Sequence, residues 1–288
     1  MSDDTLEELR SAVRNCVAVP VESERIMPSS RVAPPLAAPM AAPIFRAEVP
    51  VVAPKAAAVP VSLSPAIPAP PQVELPAGDK ATRWSALREK VLNDKVCLTH
   101  LPSDKKVVFG IGSLDSKIFF CGDTPGDEEL LAGEPFVGPA GQLLTRMIQG
   151  MGLKREQVYI SYCMNWRPEA NAVSSGVPAA NRRPTAQEMA YCRPYLQAQI
   201  DIVQPDLIVA LGATAAAGFI GADTFKALGE VKGKWHDFGG RPLMVTYHPS
   251  YILQNNSNRS KRGIWEDLLK VMERAGLPVS DKQKLFFL

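Results

Sequence analysis

Two groups of residues in the middle and late parts of the chain have the types and spacing for chemistry. An apolar run ending in Phe119-Phe120-Cys121 stops at Gly122-Asp123-Thr124-Pro125-Gly126, a tight turn that carries an acid; Phe136 follows soon after, between Pro135 and a glycine-containing turn. A short buried strand ending in such a turn presents polar groups at its carboxyl end, where an open α/β sheet binds ligands. The Phe136 ring can lie in that crevice as a platform, so a flat, polar ligand suits the pair. The second group is Tyr247-His248-Pro249-Ser250-Tyr251. His248 is one of three histidines and precedes Pro249, which confines its backbone to extended geometry. A neutral imidazole there can donate a hydrogen bond to an oxygen that turns negative as a leaving group departs. Each residue also has a plainer reading. His248 can be a turn histidine held by local hydrogen bonds, Asp123 a turn or cap acid instead of a group that positions water, and Phe136 a core side chain.

These residues need elements to position them. Strand-like apolar runs cover 117–121, 157–164, 207–211 and 243–247, and helical patterns at 142–151 and 187–203 separate them. Trp84, Leu87 and Val91 mark an opening helix. Strands alternating with helices predict an α/β domain whose parallel sheet is covered on both faces. The four strand ends then bring the Gly122 to Gly126 turn, Ser161 and Tyr162, Gly212, and Tyr247 to Tyr251 to one edge.

The rest of the chain is organised differently. Just over half of the 26 prolines lie at or before Pro76, mixed with alanine and valine and without any period. Residues 21–78 therefore read as a proline/alanine-rich tether with no packed core. Leu6, Leu9, Val13 and Val17 recur at helical spacing, so residues 1–20 form a short amphipathic helix, either a docking peptide for a protein partner or a nascent helix without a role. Residues 79–288 make the catalytic-type domain. Asp3, Asp4, Glu7 and Glu8 stand where a signal peptide needs positive charge, and no run is long and apolar enough to span a membrane, so a cytoplasmic protein is expected. Five cysteines form no CxxC pair, which argues against a zinc ribbon or a disulfide framework. No phosphate loop of the GxxxxGK[ST] type occurs. With a net charge of only +2, any basic surface is local, and Asn258-Arg259-Ser260-Lys261-Arg262 is the best place for it.

Gly122-Asp123-Thr124-Pro125-Gly126, Glu129 and Gly133-Glu134-Pro135-Phe136-Val137-Gly138-Pro139-Ala140-Gly141-Gln142 together resemble the first signature of the family 4 uracil-DNA glycosylases. Val158-Tyr159-Ile160-Ser161, Arg167-Pro168, Asn181-Arg182-Arg183-Pro184-Thr185, Glu188, Cys192, Leu211-Gly212 and Tyr247-His248-Pro249-Ser250-Tyr251 follow in the family's order. The resemblance covers roughly 97–271 and none of the tether. It implies a three-layer α/β/α fold around a four-stranded parallel sheet, and hydrolysis of the bond between uracil and deoxyribose in DNA. By resemblance, Phe136 stacks on the flipped base and His248 stabilises the departing uracil anion. Asp123, one methylene shorter than the family's usual glutamate, positions the attacking water. Gly122, Thr124, Pro125 and Gly126 bind the base, and Arg259, Lys261 and Arg262 hold phosphates or form a solvated loop.

The departures carry as much weight as the matches. The family's four cluster-binding cysteines correspond here to Cys97, His100, Trp166 and Cys192. Trp166 offers no ligand, so packing is expected in place of an iron-sulfur cluster, and no cofactor is expected. A substitute set would need Cys163 beside Cys97, His100 and Cys192, but a strand residue three positions from Trp166 points to the opposite face. Where the family has an asparagine that reads uracil in a bidentate contact, this chain has Tyr162. Either the pocket reads the base differently, with Asn165 swung in, or specificity has moved to another deaminated base. Residues 169–180, with Ser174-Ser175-Gly176, read as a mobile insertion near the crevice mouth. The expectation is a monomeric, cluster-less glycosylase acting on DNA in base excision repair. The alternative is a catalytically weak DNA-binding module recruited through the amino-terminal helix.

Overall fold

The computed structural model describes residues 67–168 and 182–288. The predicted amino-terminal helix, most of the tether and the insertion at 169–180 lie outside the described residues. Six strands form one sheet: β1 (Ile111–Gly112), β2 (Ile118–Gly122), β3 (Tyr159–Tyr162), β4 (Leu207–Leu211), β5 (Trp235–Phe238) and β6 (Arg241–Thr246), in the order β1-β3-β2-β4-β6-β5. The inner four are parallel and correspond to the four apolar runs. β2, β3 and β4 are buried along their whole length, which is why they read as continuous apolar runs instead of alternating ones. The edge strands β1 and β5 pair antiparallel and extend the four-stranded parallel sheet to six strands. They escape sequence reading because β1 has two residues and β5 is only half-buried.

Ten α-helices and two short 3-10 turns (Arg155–Gln157 and Ala222–Thr224) complete the described fold, the α-helices being in chain order α1 (Lys80–Leu92), α2 (Lys95–Thr99), α3 (Asp127–Ala132), α4 (Pro139–Gly150), α5 (Ala186–Val203), α6 (Ala213–Ile220), α7 (Leu228–Val231), α8 (Pro249–Gln254), α9 (Asn258–Arg274) and α10 (Asp281–Lys284). Their starts follow local chemistry: the Asp79 side chain caps α1 by accepting from the Thr82 N–H, and Thr185 with Glu188 forms a capping box at α5. On one face of the sheet α4, α8 and α9 bury Leu144, Ile148, Ile252 and Leu268 against Phe120, Val209 and Met244. On the other, α5 and α6 pack Ile200, Val203, Ala215 and Phe219 against Phe119, Cys121 and Ile208. A third apolar group gathers α1, α2 and the outer side of α5 around Trp166. Ile67, Val73 and Leu75 pack against that group. None of the described helices is long and apolar enough to cross a membrane.

Strand order decides where a ligand can sit. From β2 the chain moves to β3 on one side and later to β4 on the other, so the carboxyl ends of β2 and β4 flank the point where the winding reverses. A crevice opens at such a point because the two crossovers diverge. Gly122 ends β2, Gly212 follows β4, and His248 lies two residues beyond β6.

Candidate active site

Four segments meet at this edge. The Gly122 turn follows β2, and its backbone approaches two aromatic rings so closely that a Cβ on Gly122 would fall 2.6 Å from the Phe136 ring and 2.7 Å from the Tyr162 ring. The Asp123 carboxylate accepts the Thr124 N–H at 2.8 Å and lies 3.6 Å from His248 Nε2. Backbone support from this turn has a limit: Pro125 has no N–H, that of Thr124 goes to Asp123, and that of Gly126 goes to Glu129 at 3.0 Å.

Phe136 is held in a conformation that bulky residues seldom adopt, with φ of 53°. The surrounding groups enforce it. Glu129, buried at the first turn of α3, accepts from the N–H groups of Val137 (3.0 Å) and Gly138 (2.8 Å) as well as Gly126. Arg155 donates to the Pro135 carbonyl at 2.6 Å, and the Phe136 N–H donates to the Tyr162 phenol oxygen at 3.1 Å. The Phe136 ring stacks on Tyr162, with centroids 4.6 Å apart and planes 22° apart, and lies 5.7 Å from the His248 ring. Glu129 is the residue that the sequence left without a role. Its signal was an acid three positions after a glycine that opens a helix, which is the place from which a carboxylate reaches back to free backbone donors.

His248 caps α8. Its Nδ1 accepts the Ser250 N–H at 3.2 Å and lies 2.7 Å from the Ser250 hydroxyl. An Nδ1 that accepts a backbone N–H carries no proton, so the neutral ring holds its proton on Nε2. Burial holds the imidazole pKa below its ordinary value, while Asp123 and Glu129 pull it back upward. Nε2 is buried and has no hydrogen-bond partner in the protein. A donor left unsatisfied beside a crevice is aimed at something that arrives there. The loop is braced from below: Gly212, at φ of 93°, lies so close that a Cβ there would sit 3.1 Å from the His248 Cβ. Lys232 lies 4.6 Å over the Tyr247 ring and pairs with buried Asp267 at 2.8 Å, which also accepts the Thr246 hydroxyl at 2.6 Å.

The basic segment opens α9. Arg259 lines a cavity of about 300 Å³ together with Tyr247, Tyr251, Ser260, Arg262, Gly263 and Glu266. Lys261 stands on the same turn, its pKa lowered by partial burial. The Arg262 guanidinium is engaged inside the protein, by Glu266 at 2.7 Å and by the carbonyls of Lys284 and Phe286 at 2.6 and 2.9 Å. Asn165 does not swing into the crevice. Its amide donates to the Val108 carbonyl at 3.0 Å, and its own carbonyl accepts the Val108 N–H, so it belongs to the backbone pairing behind β3.

The degenerate cluster positions lie apart from the crevice. Cys97, Cys192 and Trp166 are fully buried in the third apolar group, and the His100 ring stacks on Trp166 at 5.3 Å with planes 11° apart. Cys163 lies on the far side, with its sulfur 3.6 Å from that of Cys121 and packed near Ala215. Two thiols and an imidazole that lies flat on an indole are not the four good ligands of an iron-sulfur cluster, and the Trp166 ring adds bulk without a donor lone pair. Among the described residues no three His, Cys, Asp or Glu side chains are grouped so as to hold a metal ion.

Residues 109–269, more than half of the chain, match the family model described as the uracil DNA glycosylase superfamily. Among similar proteins, a type-4 uracil-DNA glycosylase of Thermotoga maritima is 42% identical over 183 residues, covering 63% of this chain and 89% of the relative. Type-4 uracil-DNA glycosylases of Saccharolobus solfataricus and Archaeoglobus fulgidus are 36% and 33% identical, over 59% and 65% of this chain and 76% and 90% of theirs. The site at the reversal point of the sheet falls inside the matched stretch, and on these similarities the chain belongs to the uracil DNA glycosylase superfamily and, within it, to the type-4 family.

Proposed function

We propose that the protein excises uracil from DNA: water replaces the base at the sugar C1′, the N-glycosidic bond breaks, and an abasic site is left for the later steps of base excision repair. The observation that carries this is the buried, unpartnered Nε2 of His248, in its neutral donor form beside Asp123. Uracil lies inside the base stack, so its nucleotide must rotate out to reach a crevice of this kind, most easily from single-stranded or mismatched DNA. As the bond lengthens, the sugar gains oxocarbenium character and the base gains negative charge. Asp123, about a third exposed, can orient the water, and its carboxylate favours the cationic sugar. The His248 Nε2–H donates to a carbonyl oxygen of the departing base, strengthening as charge builds there, without giving up its proton; the proton that the water loses on bonding to C1′ passes by way of Asp123 to solvent or to the released uracil anion. Phe136 is the flat surface for the base.

In this reading the thiols, indole and imidazole around Trp166 act by packing in place of a cluster, and the enzyme works without a cofactor. Purified protein should then lack the brown colour and broad visible absorbance of a [4Fe-4S] centre. Arg259 and Lys261 contact phosphates beside the flipped nucleotide. The protein acts as a cytoplasmic monomer: 79–288 forms the catalytic domain, 21–78 the tether, whose last stretch is not free of packing because Ile67, Val73 and Leu75 lie against the domain, and 1–20 a docking peptide for a partner.

One observation favours a second reading. The Phe136 ring is 2% exposed and already stacked on Tyr162, as in a DNA-binding module with little catalysis. Base release from single- and double-stranded oligonucleotides carrying uracil, hypoxanthine or xanthine separates the two, with His248→Ala and Phe136→Ala alongside. Uracil release that collapses in His248→Ala supports the enzyme. Release of another base alone keeps the mechanism and changes the substrate. DNA binding without any release leaves the module.

A further inference from the structure

We propose that Tyr162 is a gate whose ring occupies, in the free protein, the space against Phe136 that a flipped base must enter. This deepens the glycosylase reading and rests on it. Phe136 is 2% exposed, so neither face of its ring is open. A base lying flat on Phe136 needs about 7 Å between that ring and the next one, two van der Waals spacings of roughly 3.5 Å. The neighbouring rings are Tyr162 at 4.6 Å and His248 at 5.7 Å, and neither gap is wide enough. Something must move before a base can stack there.

Anchoring decides which piece moves. His248 is held by two contacts to Ser250, by its place before Pro249 and by the close backbone of Gly212. The turn carrying Phe136 is tied by Glu129 and Arg155. The Tyr162 side chain has one hydrogen bond, from the Phe136 N–H at 3.1 Å, besides its stack. It stands on the last residue of β3, where backbone pairing with Gly122 holds the main chain, so opening means rotation of the ring about its own bonds, out of the apolar packing in which it lies 5% exposed. The closed and open arrangements therefore differ chiefly in one phenol ring, and a base binds only the open one. Apparent affinity for an extrahelical base is reduced by the fraction of molecules that are open. The rest of the DNA, which does not enter the pocket, is bound equally by both.

The test compares two single-stranded oligonucleotides, one carrying a non-hydrolysable 2′-fluoroarabino uracil nucleotide and one carrying a tetrahydrofuran abasic analogue in its place. Binding is measured with the unmodified protein, Tyr162→Ala and Tyr162→Phe. Removing the ring in Tyr162→Ala, which adds no group that can hydrogen-bond the base, should tighten binding of the uracil oligonucleotide by about tenfold or more while abasic binding stays within about twofold, because only the base meets the gate. Tyr162→Phe keeps the ring volume but leaves the Phe136 N–H unpaired in the closed form. It should tighten uracil binding by about threefold to tenfold, the effect of one net hydrogen bond. Equal gains on both oligonucleotides, or no gain on the uracil oligonucleotide in either variant, would overturn the gate. If Tyr162→Ala does not fold, the near-isosteric Tyr162→Phe decides alone. Binding is scored without cleavage, so a failed gate leaves uracil release by the unmodified protein standing, and a protein that releases no base can still show the gate.

Discussion

Replacing Glu129 should both destabilise the fold and disable the site, in a graded order. The residue is 6% exposed, and its carboxylate accepts three backbone N–H groups, from Gly126 at 3.0 Å on one oxygen and from Val137 and Gly138 at 3.0 and 2.8 Å on the other. Hydrogen bonds to a charged group contribute roughly 1.5–3 kcal/mol each, and donors left unpaired in the interior cost more than donors returned to water. Water can replace the partner at half-buried Gly126 and Val137 but not at buried Gly138. Glu129→Ala should therefore cost about 3–5 kcal/mol, which for a domain of this size lowers the melting temperature by about 10 °C. Glu129→Gln keeps an oxygen for Val137 and Gly138 but turns an amide NH₂ toward the Gly126 N–H, so its loss should fall near half of that. Phe136 depends on this carboxylate for its left-handed backbone, so uracil release should decline in the same order even at temperatures where each variant is folded. Thermal unfolding by circular dichroism and single-turnover uracil release give the two readouts. A Glu129→Ala protein that melts within about 2 °C of the parent and releases uracil at the parental rate would refute the reasoning.

His248→Ala should lower uracil release by about a hundredfold to a thousandfold, the usual effect of removing one donor to a developing negative charge, with DNA binding retained. Burial depresses the His248 pKa from its ordinary 6.5, so the neutral donor persists below that pH. Release should stay level from about pH 8 to about 6.5 and fall only further down, whereas a profile already falling above pH 7 would count against a neutral donor. The sign for stability agrees: below about pH 6.5 the unfolded chain takes up a proton that the folded site resists, so the His248 contribution, present above that pH, is lost as pH drops. Gly212→Ala introduces a Cβ at φ of 93° and 3.1 Å from the His248 Cβ. It should reduce uracil release by about tenfold through displacement of the His248 loop, and unchanged kinetics would show that the loop is braced elsewhere. Arg259→Ala should weaken binding to single-stranded DNA of any sequence and reduce the salt slope of log K by about 0.7, while Arg262→Ala should act on stability, because Arg262 is engaged by Glu266 and two carbonyls.

Local sequence determined the scaffold and the identity of the groups at its edge. β2 and β4 were legible because strands buried on both faces must be apolar throughout, and α5 because its cap and period are local properties. The Gly122 turn, Phe136 and His248 could be placed at one edge because parallel strands separated by helices bring their carboxyl ends together. Only the tertiary structure decided how those groups face one another. That Tyr162 lies on Phe136, that Glu129 ties down Val137 and Gly138 eight and nine residues away, that Asn165 turns to Val108 and that Arg262 turns to the carboxyl-terminal carbonyls all depend on contacts between segments. The physical reason is that a strand or helix period states which side of an element a residue occupies, whereas the partner of a polar or aromatic side chain is set by the distance to groups that the chain brings there from elsewhere. His248 shows both levels: its cap position follows from the proline beside it, and its free Nε2–H exists because Ser250 takes Nδ1 and the packed crevice around Asp123 leaves the other nitrogen without a partner.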